Sequence, residues 1–328
     1  MKHVNIEIKA NSCCGPVKQP DQTKVVSCCD SVKQSVQTNT DAKEMVQLPV
    51  AIIGAGPVGL AAASHLVKHK LPFILLEAGS NIGANILTWG HVRLFSPWRY
   101  NIDKAALSLL EQGGWEKPDF DELPTGNELV QKYLQPLSNM SEIQPSLYLD
   151  TKVLSIGKKN MDKMKNINRE NVPFVIHAEK DGVYQTFEAR AILDASGTWG
   201  NPNPANANGI WLKEEKFLKD HIFYGIPNIL GKEKERYANK RTAVVGAGHS
   251  AINALLELAH LKETFPETEI VWIMRRKSAE EAYGGEEKDA LEARGALGSR
   301  VHKMVDEGKI QVATPFRIQS IKSGHKRS

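Results

Sequence analysis

The chain has 328 residues, 41% hydrophobic and 24% charged, with 42 Lys and Arg against 38 Asp and Glu. This is the balance of an ordinary globular protein long enough for two domains, and a net charge of +4 with mixed signs gives no basis for nucleic-acid binding. No apolar run approaches the roughly 18 residues that span a bilayer, and residues 1–9 lack an apolar signal core, so a cytoplasmic location with no membrane partner is expected.

Residues 1–47 are polar, rich in Ser, Thr, Asn, Gln and Lys, and without helical or strand period. They read as a flexible, disordered tail. All four cysteines lie there, as the vicinal pairs Cys13-Cys14 and Cys28-Cys29. Adjacent cysteines rarely bond to each other, and the spacing does not match the paired C-x2-C of zinc ribbons. Soft thiolates favour soft ions, which makes these four candidate ligands for a metalloid such as As(III) or a soft metal. The alternative is a tail whose cysteines are incidental.

Val50-Ala-Ile-Ile53 is apolar throughout, as expected of a parallel strand covered on both faces. It breaks into Gly54-Ala-Gly56-Pro57-Val58-Gly59, where the three glycines suit a tight turn, close approach of a pyrophosphate, and packing of helix on strand. Phosphates would sit on the free amides of the following helix N-terminus. Phe73-Ile-Leu-Leu76 predicts a second strand, ending in Glu77, 18 residues after Gly59. An acid there is placed to accept from an adenosine ribose.

The segment Trp89-Gly-His-Val-Arg93-Leu-Phe-Ser96-Pro-Trp98 is rich in aromatic and polar groups for a connection. Trp89 or Trp98 could stack on a flat cofactor ring, with Arg93 or Ser96 donating hydrogen bonds. Residues 129–137 carry helical spacing, residues 147–149 and 153–156 predict short strands, and residues 174–178 and 183–187 predict a hairpin about Asp181-Gly182. Residues 191–200 then form an apolar strand ending in small residues, Ala195-Ser196-Gly197, where backbone can approach a ligand. Pro202 and Pro204 read as a hinge.

The opening pattern recurs at residues 242–251, with Gly246, Gly248, His249 and Ser250 and with Ala251 in place of the third glycine. The strand at 269–274 ends in Arg275-Arg276 instead of an acid. An arginine pair would hold a 2′-phosphate by charge-assisted contacts, so the second site reads as NADP-preferring; the bland reading is two surface charges. Residues 290–307 predict a helix interrupted by Gly295-Ala-Leu-Gly298, and residues 310–313 and 316–321 echo the strands at 147–156.

Fingerprints 192 residues apart (Gly54 and Gly246), the second interrupting the first domain, resemble the flavoproteins with two dinucleotide-binding domains. Within that superfamily the chain is most similar to the flavin-dependent monooxygenases of bacterial arsenic-resistance operons, related to the flavin-containing monooxygenases. The motifs behind this are residues 54–60, 89–98, 123–126, 194–199, 246–251 and 293–298. The resemblance implies an α/β fold of two Rossmann-like domains, the second inserted in the first: a Cys-containing tail at 1–47, an FAD-binding domain at 48–205 and an NADP-binding domain at 206–322. The candidate FAD residues are Gly54, Gly56, Pro57, Val58, Gly59, Glu77, Ala78, Trp89, Arg93, Ser96, Trp98, Val153, Ala195, Ser196 and Gly197. Those for NADPH are Gly246, Gly248, His249, Ser250, Ala251, Arg275 and Arg276.

Family members return to the FAD domain after the second domain, and this chain stops before that return, so a C-terminally shortened protein is expected. The implied chemistry is hydride transfer from NADPH to FAD, followed by reaction with dioxygen and oxygenation of a soft N, S or As atom in a small molecule. No protein side chain is a candidate catalytic group, since the cofactors carry the reaction. Two alternatives remain: a disulfide reductase using the tail thiols, and a non-catalytic protein that binds nucleotide or metalloid.

Overall fold

The computed structural model describes residues 47–323; the four cysteines and the expected tail lie outside them. The chain runs β1 (Val50–Ile53), α1 (Pro57–Lys68), β2 (Phe73–Leu76), α2 (Lys104–Gln112), β3 (Leu147–Tyr148), β4 (Lys152–Lys158), β5 (Phe174–Lys180), β6 (Val183–Ala189), β7 (Ala191–Asp194), β8 (Arg241–Val245), α3 (His249–Thr264), β9 (Glu269–Ile273), α4 (Glu292–Asp306) and β10 (Gln311–Ala313), with shorter helical turns between.

The first sheet is parallel, in the order β3-β2-β1-β7. Strand β1 is apolar at every position because both its faces are covered. Ile52 faces a core that includes Leu60 and Ala63 of α1, while Ala51 faces the opposite side and packs with Ile176 and Ala189 of the hairpin. Ala51 and Ile52 are both fully buried. At about 25 cal/mol per Å² of apolar area removed from water, this two-sided burial is the dominant favourable term for the layer.

Strands β4, β5 and β6 form a separate antiparallel sheet. The pairing of Lys180 with Val183 leaves Asp181-Gly182 as a two-residue loop, and both residues have positive φ (52° and 76°). That is the Asp-Gly turn whose twist matches its flanking strands. The helical spacing at 129–137 also holds, as a run from Gly126 through one π-helical turn to Ser138. It starts at a capping box in which Thr125 Oγ1 accepts from the Glu128 amide and the Glu128 carboxylate accepts from the Thr125 amide. Those bonds, the Thr125 amide first and then Lys132, hold the Glu128 carboxyl down at about 2.

The second sheet repeats the opening, in the order β10-β9-β8, all parallel. Its core gathers α3, α4 and β9 around the fully buried Trp272. Two expectations change here. Helix α4 is continuous through Gly295-Ala-Leu-Gly298, because those glycines form its contact face: a Cβ on Gly295 would lie 1.9 Å from the Glu286 carbonyl oxygen, and one on Gly298 1.9 Å from that of Tyr283. Residues 316–321 do not form a strand. Their backbone groups bond to other segments, with Phe316 N–H donating to Met274 and the carbonyls of Ile318 and Gln319 accepting from Ala207 N–H and the Asn206 side chain. Both halves are thus Rossmann-like: parallel sheet, glycine turn, helix.

Candidate functional site

Each glycine turn leaves its sheet at the carboxyl end of the first strand, and the two are wired alike. Gly54 N–H donates to Leu76 O (2.7 Å) and Gly246 N–H to Ile273 O (3.0 Å). Gly54 has φ +98° and Gly246 φ +123°, a region open to glycine and strained for other residues. Gly59 lies beneath the first turn, where a Cβ would meet the Gly54 carbonyl oxygen at 1.8 Å, and Gly56 faces open space. Helix thus packs on turn at Gly59, while the turn leaves room at Gly56.

Both turns open on one cavity of about 2530 Å³. Ligand pockets for a single drug-sized molecule run to about 1,000 Å³, so there is room for more than one extended cofactor. From the first half its wall takes Gly54, Gly56, Pro57, Val58, Glu77 and Ala78, then Trp89 and Val153, then Ala195, Ser196 and Gly197 at the end of β7. From the second half it takes Gly246, Ser250, Ala251 and Arg275. Glu77 is also structural: its Oε2 accepts from the Ala55 amide (2.7 Å) and its Oε1 from the Gly79 amide (2.8 Å). Each carboxylate oxygen can accept once more, leaving capacity for a ribose hydroxyl.

The segment at 89–98 contributes less than its composition suggested. Trp98 is 1% exposed and sits in the first core, so it is no cofactor wall. Its amide donates to Glu122 O, which turns the chain back on itself. Arg93 donates to the Leu123 carbonyl and lies 3.9 Å from Glu128, and Ser96 Oγ donates to Asn101 Oδ1 (2.9 Å); neither lines the cavity. Gly248, His249 and Arg276 also stand off the cavity wall. His249 packs its ring against Phe95 (centroids 4.7 Å), and Arg276 gives its carbonyl to Thr314 Oγ1.

Sequence reasoning did not single out two wall residues. Trp199 lies 6.1 Å from Trp89, centroid to centroid, and both line the cavity; its signal was its position just past the small-residue end of β7. Tyr224 also lines the cavity, and its hydroxyl donates to Glu215 Oε1, which accepts from Ala205 N–H as well. Burial, and then this carboxylate, push the Tyr224 phenol well above its usual value. Glu215 is 1% exposed, and its Oε2 has no partner among the described residues. Nothing in the local sequence marks this pair. Beside the cavity, burial raises the Glu257 carboxyl, which accepts from Ile229 N–H and lies 3.9 Å from His91 Nε2.

Residues 51–327 match the family model described as pyridine nucleotide-disulphide oxidoreductase. The chain belongs to this family. Among similar proteins, the ferredoxin–NADP reductase of Lactobacillus gasseri is 25% identical over 283 residues, covering 86% of this chain and 66% of that protein. Flavin-containing monooxygenase 3 of Canis lupus familiaris is 26% identical over 221 residues, covering 65% of this chain and 38% of that protein. The chain therefore spans less than two thirds of the length of either relative. Among solved structures, the bacillithiol disulfide reductase Bdr (YpdA) from Bacillus cereus shares the fold, with a TM-score of 0.58 at 19% identity, covering 84% of this chain and 70% of that one.

No helix among the described residues is long and apolar enough to cross a membrane. Among the same residues no group of three or more His, Cys, Asp or Glu could hold a metal ion. The candidate metalloid ligands Cys13, Cys14, Cys28 and Cys29 lie outside them.

Proposed function

We propose that this chain is an NADPH-dependent flavoprotein oxidoreductase, holding FAD at the first glycine turn and NADPH at the second, with the boundary between the two domains near residue 205. The observation that carries the reading is that two glycine turns, one followed by an acid and the other by an arginine on the wall, open on one continuous cavity. The residues present fit both groups. The open space at Gly56 accommodates a pyrophosphate, Glu77 keeps acceptor capacity for a ribose, and Trp89 and Trp199 offer aromatic faces to a flat ring. Arg275 lines the cavity and among the described residues makes one long hydrogen bond, 3.4 Å to Ala207 O, so its guanidinium can turn to a 2′-phosphate.

When bound, FAD supplies a two-electron acceptor for the NADPH hydride and, once reduced, reactivity toward dioxygen. The protein binds the two nucleotides, orients them in one cavity and excludes water. We infer further that the reaction is the oxygenation of a soft atom in a small molecule. Likeness to a flavin-containing monooxygenase supports this, as does the lack of any cysteine after residue 29, which denies the cavity a dithiol of its own. A disulfide reductase would have to bring in the tail thiols. An arsenic-containing substrate rests on motif resemblance and on those tail cysteines.

Purified protein should be yellow, and NADPH oxidation in air should consume oxygen without a disulfide substrate. A colourless protein that does not take up added FAD overturns the flavoprotein reading. Activity that needs a disulfide, and is lost in Cys13→Ser/Cys14→Ser, favours the reductase. Oxygen uptake stimulated by a trivalent methylated arsenical would support the arsenic link, and uptake unchanged by one would remove it.

A further inference from the structure

One buried carboxylate joins two stretches of the cavity wall. Glu215 is 1% exposed, and its Oε1 accepts from the Ala205 amide (2.6 Å) and from the Tyr224 hydroxyl. Ala205 and Tyr224 both line the cavity. The other oxygen, Oε2, has no hydrogen-bond partner among the described residues. Burying a carboxylate with one oxygen unsatisfied is costly, so stability alone does not account for an acid here.

What the carboxylate holds leads directly to the aromatic part of the wall. Burial, and then Glu215, keep the Tyr224 phenol protonated well above its usual value, so it remains a donor to Oε1. Trp211 meets the Tyr224 ring edge-on, centroids 5.2 Å apart, and the tied hydroxyl and this contact together fix the ring. The next residue is Gly225, where a Cβ would lie 3.1 Å from Trp199 Cζ2, so the Trp199 indole rests against this backbone. Trp199 in turn faces Trp89 across 6.1 Å, and both line the cavity. From Glu215 to the tryptophan pair the path is one hydrogen bond, one step along the chain and one contact.

We propose that Glu215 is a positioning residue for the flavin ring: by tying Tyr224 to Ala205 it holds the Gly225 backbone against Trp199 and fixes that indole in the cavity wall. Trp199 follows Ala195, Ser196 and Gly197 past the end of β7, and Trp89 comes from the first half as well. The pair therefore belongs with the first turn, and the ring it serves is the flavin. The assignment rests on the reading that the first turn takes FAD.

The test is calorimetric titration of the full-length protein, freed of flavin, with FAD and with ADP-ribose, which carries the adenosine and pyrophosphate but no flavin ring. Glu215→Ala is expected to bind FAD roughly fivefold more weakly, mid-range for one aromatic contact, and ADP-ribose as wild type does. Glu215→Gln keeps a carbonyl acceptor for both donors and should restore wild-type affinity. Because Glu215 acts through Tyr224, Glu215→Ala combined with Tyr224→Phe should bind FAD as Glu215→Ala alone does. Unchanged FAD affinity in Glu215→Ala, equal weakening toward both ligands, or additive losses in the double variant overturns the proposal, as does a loss in Glu215→Gln as large as that in Glu215→Ala. Should Glu215→Ala not fold, Tyr224→Phe removes only the O–H and carries the same two-ligand comparison. Wild type that binds neither ligand overturns the FAD reading itself, and with it this assignment.

Discussion

Gly59→Ala tests the packing of the first turn with the smallest possible change. A Cβ at this position would sit 1.8 Å from the Gly54 carbonyl oxygen, and real Cβ contacts essentially never fall under 3.0 Å, so α1 and the turn must separate by at least 1.2 Å. Both partners are backbone and neither can swing aside. Overpacking of this kind costs about 1–3 kcal/mol, which in a chain of this size lowers Tm by roughly 2–5 °C. The same separation displaces the helix N-terminus from the Gly54–Gly56 turn, so FAD retention should fall with stability. Ala251, at the matching position of the second turn, supplies the internal control: its Cβ is 4.0 Å from a Cβ built on Gly246, ordinary contact. Ala251→Gly should therefore cost no more than the helix propensity of Ala over Gly, about 1 kcal/mol. Thermal melts paired with flavin absorbance per protein measure both effects. A Gly59→Ala protein that melts with wild type and keeps its flavin would refute the close packing of helix on turn.

The two arginines after β9 should separate, because Arg275 lines the cavity and Arg276 does not. Arg275→Gln should raise the KM for NADPH roughly 30-fold, about 2 kcal/mol for a lost charge-assisted contact, and leave that for NADH unchanged; Arg276→Gln should change neither. Equal effects of the two variants would contradict the placement. His302 provides a pH prediction. Its ring stacks on Tyr283 at 4.3 Å, and its Nδ1 lies 3.0 Å from Glu286 Oε1. The Glu286 bond, then Asp306 and Glu280, raise its pKa above the usual 6.5. A raised folded-state pKa contributes stability that is fully present below 6.5 and is lost as pH rises through the folded value. Wild-type Tm should accordingly fall from about pH 6.5 upward relative to His302→Gln, and parallel pH profiles of the two proteins would remove His302 as the cause.

The parts of this molecule that could be read from sequence are those fixed by local chemistry. Val50–Ile53 announced a strand covered on both faces, the three glycines announced their turn, and Asp181-Gly182 announced a hairpin whose register the structure reproduces. What could not be read depends on partners distant in sequence. Trp98 and Trp89 are the same residue type nine positions apart, yet Trp98 is buried inside the first core while Trp89 packs at its edge and lines the cavity. Gly295 and Gly298 looked like breaks in a helix because glycine is a poor helix former; the carbonyls of Glu286 and Tyr283, which only glycine lets so close, are visible only once the chain is folded. Trp272 read as one more apolar strand residue, since nothing in residues 269–274 reveals an indole reaching back to Gly246.

The central claim, that one cavity brings a flavin and an NADPH together, is tested most directly by anaerobic stopped-flow mixing of the FAD-loaded protein with NADPH or NADH while following the visible flavin band. The account predicts rapid bleaching by NADPH, slower bleaching by NADH at equal concentration, and loss of that preference in Arg275→Gln. A bound flavin that NADPH does not reduce would contradict it.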